Sequence, residues 1–334
     1  MNLAFYELEP WEQEHVRKAL PGHRLSFFDG PLGAKNVDKK AEAIGIFIYS
    51  EATRKLINLM PRLKLIATLS TGFDHIDIAY AASKGIQVCN VPTYGENTVA
   101  EHTFALILSL SRKLYPSIKR THEQHRFDTD ASLRGFDLKG RTLGVIGCGN
   151  IGRHVARIAK GFEMDVLVFD PHPKRELAKI LGFAYTSLPQ LLKRADIVTL
   201  HVPLLPQTRH LIDKKKIAMM KPGAFLINTA RGGLVDTNAL LSALSSGRLA
   251  GAALDVLEEE SSIKEEKQLL HSEFKKAADL KMVLAGHVLM KMDNVLITPH
   301  NAFNSGEALL RILNTTLDNI KSYLKSGKAL NRVN

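Results

Sequence analysis

Cysteine is scarce in this chain: Cys89 and Cys148 are the only two in 334 residues, and they form no CxxC pair. That excludes a disulfide framework and fits a reducing compartment, so a cytoplasmic location is expected. No apolar run approaches 18 residues, which excludes a transmembrane helix and a membrane partner. The opening MNLAFYELEP is acidic and lacks the apolar length of a signal peptide. No short-period repeat and no zinc-finger spacing is present, and no metal is expected. There is also no basic arm and no RNP-type aromatic motif. The net charge of +11 is therefore not read as a nucleic-acid signature. Its excess lies in short groups such as Lys214, Lys215 and Lys216, beside acidic groups such as the EEE run at 258–260. This reads as solvated surface, suited to an anionic small molecule, with no nucleic acid as partner.

What the chain does contain is length for two domains and an apolar share of 45%. Short apolar runs alternate with helical patterns throughout. LAFYE, IGIFIYS, LKLIATLS and IQVCN read as strands in the first hundred residues. After residue 140 come TLGVIG, DVLVFD, DIVTLHV, AFLINTA, GAALDV and NVLITPH. Strand–helix alternation predicts parallel sheets built from βαβ units. VAEHTFALILSLSRKL, residues 99–114, predicts a long helix able to bridge two domains. The tail LLRILNTTLDNIKSYLKSG predicts an amphipathic helix that folds back onto the N-terminal domain. Residues 258–293 are charge-dense, with helical spacing in parts, and predict an inserted pair of surface helices.

The most specific local pattern is TLGVIGCGNIG at 142–152, followed by an aspartate at 170 in VLVFDPHP. A strand runs into a glycine turn that opens a helix, HVARIAKGF, and a second strand ends in an acid. Gly147 suits a tight turn, Gly149 lets backbone approach a pyrophosphate, and Gly152 lets helix and strand pack closely. The phosphates would rest on free N–H groups at the positive end of the helix dipole. Asp170 stands where a carboxylate can bond both ribose hydroxyls and repel a 2′-phosphate, so NAD is predicted over NADP. Lys174 and Arg175 lie near and weaken that repulsion slightly. Cys148, inside the motif, is read as a small filler residue.

Three polar residues follow predicted strands in this half: Arg231 after AFLINTA, Glu260 shortly after GAALDV, and His300 after NVLITP. Taken singly, each has an ordinary explanation as a turn, a solvated face or a surface ring. Together they stand at one sheet edge, where open parallel sheets bind ligands. Hydride transfer to a 2-keto acid needs a bidentate cation for the carboxylate, which a guanidinium supplies. It needs a proton for the carbonyl oxygen, which an imidazole supplies, and a carboxylate to orient that ring. Arg231, His300 and Glu260 satisfy those demands.

The chain resembles the D-isomer-specific 2-hydroxyacid dehydrogenases. The matching segments are LKLIATLSTGFDHID, VPTYGENTVAEHTFALIL, TLGVIGCGNIG, LHVPLLPQTRHLI, MKPGAFLINTARGGLVDTNAL, AALDVLEEE and NVLITPHNAF, in the family's order. The resemblance implies an α/β fold in which a Rossmann-type doubly wound parallel sheet is inserted into a smaller flavodoxin-like α/β substrate domain. The corresponding domains are 1–98 with 301–334 for substrate and 99–300 for NAD. A homodimer built around the long helix near residue 100 is also implied. Arg231 would bind substrate, Glu260 would assist, and His300 would be the acid/base. Asn150, Ile151, Val202, Pro203, Thr208, Thr229, Ala230 and Asp255 would line the NAD pocket, with Asp255 at the nicotinamide carboxamide. Backbone N–H groups near Thr71 and Gly72 would take the substrate carboxylate.

Within the family, Tyr49, Tyr94 and Phe303 match positions of the D-lactate-acting branch, as does the long segment between Glu260 and His300. Ordinary core packing is an equal reading for Tyr49. Relatives often carry arginine where this chain has Leu69, which bears on substrate identity. The reaction implied is reversible reduction of pyruvate or a similar short 2-keto acid. The alternatives are a relative acting on glyoxylate, hydroxypyruvate, a branched 2-keto acid or 3-phosphoglycerate, and an NAD-sensing co-repressor-like binding protein.

Overall fold

A computed structural model describes residues 1–258 and 277–334. In chain order the strands are β1 (Asn2–Tyr6), β2 (Arg24–Phe28), β3 (Ala43–Ile46), β4 (Leu65–Thr68), β5 (Gln87–Cys89), β6 (Thr142–Ile146), β7 (Asp165–Phe169), β8 (Ala184–Tyr185), β9 (Ile197–Leu200), β10 (Ala224–Asn228), β11 (Leu249–Leu254) and β12 (Val295–Ile297). The helices are α1 (Pro10–Ala19), α2 (Arg54–Asn58), α3 (Ile78–Ser83), α4 (Glu96–Ser111), α5 (Leu114–His122), α6 (Asn150–Gly161), α7 (Arg175–Leu181), α8 (Leu188–Arg194), α9 (Lys214–Met219), α10 (Thr237–Ser245), α11 (Ala277–Met290) and α12 (Gly306–Ser326). The chain divides into two compact units, Met1–Tyr94 with Ser305–Asn334, and Gly95–Asn304. Of the segment 258–293, residues 259–276 lie outside the described residues, and Ala277–Met290 is helical.

The first unit is a five-stranded parallel sheet ordered β2-β1-β3-β4-β5, the flavodoxin-like order. Its core gathers Ala4, Tyr6, Ile44, Ile46, Ile66 and Val88 from the strands. α12 packs on β4 and α1, and His15 Nε2 lies 2.9 Å from Asn314 Oδ1. Residues 332–334 pair along β5: Val333 N–H donates to Val88 O at 2.9 Å, and Val88 N–H donates to Asn334 Oδ1 at 2.9 Å.

Two local findings depart from the sequence reading. β2, RLSFF, is a strand that the hydrophobic pattern did not single out; it is a partly exposed strand at the end of the sheet order, paired with β1. The run IGIFIYS is a strand only to Ile46. Beyond it the Glu7 carboxylate accepts the N–H groups of Phe47 (3.2 Å) and Tyr49 (3.1 Å), which takes them off the sheet ladder.

The second unit is a seven-stranded parallel sheet ordered β12-β11-β10-β9-β6-β7-β8. The order reverses between β6 and β9, which makes this a doubly wound sheet. Side chains alternate between two cores. Ile146, Val198, Leu226, Ala252 and Leu254 face α8, α9, α10 and α11. Val145, Ile197, Ile227 and Ala253 face α4 and α6. Strands buried on both faces read as continuous apolar runs rather than polar alternation, as these do.

Candidate active site

Sheet register places the site residues of the second unit. Ile146, Leu200, Asn228, Leu254 and Ile297 stand side by side at the carboxyl ends of β6, β9, β10, β11 and β12. The next residue in each chain therefore forms a row: Gly147, His201, Thr229, Asp255 and Thr298. Arg231 lies three residues past the end of β10, and His300 three residues past the end of β12.

The glycine turn follows β6 at the topological switch point. Gly147 has φ +94°, and a Cβ there would lie 2.5 Å from His201 O. A Cβ on Gly152 would lie 2.0 Å from Gly147 O, so only glycine lets α6 sit against the turn. A Cβ on Gly149, by contrast, would meet no atom of the described residues within 4 Å. Gly149 is also the N-cap of α6 and offers no side-chain acceptor, so the first-turn N–H groups, from Asn150, Ile151 and Gly152, have no cap. That combination of an open glycine and uncapped amides fits a dinucleotide pyrophosphate. Asp170, just past β7, accepts Cys148 N–H at 2.7 Å and His172 N–H at 2.8 Å, one on each oxygen. Each carboxylate oxygen keeps a further lone pair for a ribose hydroxyl. Burial, the largest cause, pushes the Cys148 thiol up, so it stays protonated beside the turn. Thr208 closes its own turn through Pro203 O (2.7 Å) and Leu205 N–H (2.7 Å).

Two buried polar residues hold the turns that bear Arg231 and His300. Asn228 donates from Nδ2 to Arg231 O (2.8 Å) and accepts Ala230 N–H (3.0 Å). Ala230 O in turn accepts Arg231 Nη1–H at 2.7 Å, which anchors one arm of the guanidinium. A Cβ on Gly232 would lie 2.1 Å from the Leu257 backbone, so the turn after Arg231 runs tight against the chain leaving β11. Asp255 plays the same part for His300. Its oxygens accept Thr298 Oγ1–H, Asn301 N–H (3.0 Å) and Ala302 N–H (2.9 Å), and its backbone carbonyl accepts His300 N–H at 2.8 Å. His300 has φ +52°. A non-glycine residue held there costs on the order of 1–3 kcal/mol, which the surrounding bonds must offset.

Electrostatics separates the histidines of this sheet edge. His201 stands in the row itself, yet burial pushes its pKa down to about 3. Its Nε2 lies 2.9 Å from Thr199 Oγ1, and its Nδ1 is buried with no partner among the described residues. It stays neutral and is no proton donor at ordinary pH. His210 Nε2 lies 2.7 Å from Glu258 Oε1. Glu258 also accepts from Arg209 Nη2 (3.2 Å) and Thr237 Oγ1 (2.9 Å) and is buried. The EEE run thus opens with a buried structural carboxylate rather than a solvated one. Its partners lie 21 to 49 residues away in sequence, beyond any local pattern. Glu260, the third member of the run, lies outside the described residues.

Tyr49, Thr71, Gly72 and Tyr94 belong to the first unit, in the loops after β3, β4 and β5. Tyr49 is 42% exposed and packs edge-on against Phe47 at 6.2 Å, so it is not a core residue. Thr71 Oγ1 donates to Val91 O at 2.7 Å, and Thr71 O accepts Asn90 Nδ2–H at 2.8 Å. Leu69 is buried, with 2% of its surface exposed, so the position often arginine in relatives belongs here to the apolar core. Phe303 lies in the second unit, three residues beyond His300. The sequence reading missed Asn228, Thr298, His102 and Thr103. Their one legible signal is a polar residue interrupting an apolar strand or helix face.

Residues 104–302 match the sequence model described as "D-isomer specific 2-hydroxyacid dehydrogenase, NAD binding domain", so the cofactor of the second unit is NAD. A "2-hydroxyacid dehydrogenase homolog 1" of Schizosaccharomyces pombe is 37% identical over 330 residues, covering 97% of this chain and 96% of the relative. A glyoxylate reductase of Thermococcus litoralis is 34% identical, covering 99% of this chain and 91% of its own. Among solved structures, a D-lactate dehydrogenase from Aquifex aeolicus, complexed with NAD and lactic acid, superposes with a TM-score of 0.85 at 37% identity. It covers 98% of this chain and 99% of that one. With a family match over more than half its length and relatives aligned nearly end to end, the chain belongs to the D-isomer specific 2-hydroxyacid dehydrogenases, a family of oxidoreductases.

Proposed function

We propose that the protein reduces pyruvate, or a similar short 2-keto acid, reversibly to the D-2-hydroxy acid. The observation that carries this is the shared placement of Arg231 and His300, each three residues past the end of a strand, β10 and β12, on either side of β11, at the sheet edge that also bears the glycine turn. NADH, when bound, supplies the hydride for the keto carbon. Arg231, its guanidinium anchored on Ala230 O, binds the substrate carboxylate, and its charge polarises the adjacent carbonyl. His300 in its charged form gives a proton to the carbonyl oxygen as negative charge develops there. His201 cannot share this task, since burial keeps it neutral. Glu260 is the orienting carboxylate in this reading.

Gly147, Gly149, Asn150, Ile151, Gly152 and Asp170 hold the cofactor in this proposal, with Val202, Pro203, Thr208, Thr229, Ala230 and Asp255. Tyr49, Thr71, Gly72, Tyr94 and Phe303 are its substrate-binding residues. A homodimer belongs to the same reading, and Leu114, Tyr115, Ile118 and the fully exposed Phe127 offer apolar surface for it. So does a cytoplasmic location; among the described residues no helix is long and apolar enough to cross a membrane.

The test is steady-state NADH oxidation across a panel of keto acids, with chiral analysis of the product. Pyruvate is expected among the best substrates by kcat/KM, giving the D product. Turnover on none of them overturns the enzymatic reading. A clear preference for glyoxylate or hydroxypyruvate moves the assignment to the second reading, which the similarity to a glyoxylate reductase supports. Cofactor choice has its own test. Asp170→Ala removes the charge that repels a 2′-phosphate, at a site with Lys174 and Arg175 nearby. The NADH over NADPH preference in kcat/KM is expected to fall about tenfold or more, the effect of losing ~1.4 kcal/mol of discrimination. An unchanged ratio removes Asp170 from the cofactor argument.

A further inference from the structure

Consecutive residues of α4, His102 and Thr103, reach the two turns that carry Arg231 and His300. Thr103 is buried, and its hydroxyl donates to Val99 O at 2.8 Å. Its contact with Thr229 Oγ1 at 3.0 Å therefore has Thr229, two residues before Arg231, as donor. His102 reaches the other turn. Its Nε2 lies 3.1 Å from Thr298 Oγ1, two residues before His300, and 3.5 Å from Asp255 Oδ1. The Thr298 hydroxyl spends its single hydrogen on Asp255. The His102 contact must then run from an imidazole N–H to the hydroxyl oxygen, which places the hydrogen on Nε2.

The result is a directed chain from imidazole to hydroxyl to carboxylate. Asp255 ends it by accepting the amides of Asn301 and Ala302, on the far side of His300. The chain brackets a residue whose φ is +52° and whose own N–H is bonded to Asp255 O (2.8 Å) and Thr298 O (2.9 Å). Bonds in such a series polarise one another, and the series ends on a buried carboxylate, Asp255. We infer that His102 is a positioning residue for proton transfer: through Thr298 and Asp255 it sets the direction of the His300 imidazole. The inference rests on the function proposed above.

The test compares His102→Leu, which removes the donor, with His102→Gln, whose side-chain amide N–H spans a similar gap. Wild type and His300→Ala are assayed first for NADH-dependent pyruvate reduction. His102→Leu is expected to lower kcat about 10- to 100-fold, as small misplacements of catalytic groups do. It should leave the KM for NADH in place and shift the His300 ring signals in ¹H–¹⁵N spectra. His102→Gln should restore most of kcat. Unchanged kcat in His102→Leu, or equal losses in both variants, overturns the inference. Should His102→Leu not fold, Thr298→Val, which removes the relaying hydroxyl, carries the same expectation. If wild type reduces no keto acid, the proposed function falls by itself, and the ring spectra then decide: His300 signals unmoved in His102→Leu overturn the positioning role, and moved signals sustain it.

Discussion

His300→Ala is expected to lower kcat for pyruvate reduction by ~10²–10⁴-fold, the usual worth of a positioned acid/base group. NADH affinity, read by fluorescence titration, should be unchanged, because the glycine turn and Asp170 belong to other strand ends. Direction matters as much as size. Reduction takes its proton from the His300 ring and oxidation of the hydroxy acid returns it there, so the variant should lose both directions together. His201 is the obvious stand-in by location, but burial holds it neutral down to about pH 3, so it cannot deliver the proton. Near-normal reduction in His300→Ala would remove this residue from the mechanism.

Arg231 carries the second large effect. One guanidinium nitrogen donates to Ala230 O, which helps to fix the plane of the group and the direction of its fork. Arg231→Lys keeps the charge but replaces the fork by a mobile point charge. Losing one charge-assisted hydrogen bond costs about 1.5–3 kcal/mol. That corresponds to a fall in kcat/KM for the keto acid of roughly 10- to 100-fold. Arg231→Ala, without the charge as well, should fall further still. Both variants should keep the wild-type KM for NADH. Intact kinetics in Arg231→Lys would refute the two-pronged clamp, and recovery of Arg231→Ala by added guanidinium would support it.

The architecture was largely legible in the sequence because a sheet buried on both faces writes itself as short apolar runs. Ile146, Val198, Leu226 and Ala252 belong to such runs and lie in one core, and their neighbours lie in the other. What stayed hidden depended on distant partners. β3 ends at Ile46, inside an apolar run, because a carboxylate from residue 7 claims the next amides. Glu258 looks solvated in an acidic run, yet Arg209, His210 and Thr237 surround it. The turns bearing Arg231 and His300 were visible as strand ends. Their buried supports, Asn228 and Asp255, act through hydrogen bonds that no periodicity records. His102 and Thr103 are hidden for a related reason: they lie in a helix whose surrounding residues, Val99, Phe104 and Ile107, announce only core packing.

The discontinuous first unit has a consequence for biosynthesis. β1 to β5 leave the ribosome before the second unit, but α12 and residues 332–334, which pack on β4 and pair along β5, leave it after that unit. The whole Gly95–Asn304 stretch is made in between, and it holds every strand of its own sheet. During translation the earliest-made sheet therefore waits with an apolar flank and an open edge while the later-made one has its full set of strands. An unpaired strand edge and uncovered apolar surface are the features that invite aggregation, so that interval is a vulnerable one for β1 to β5.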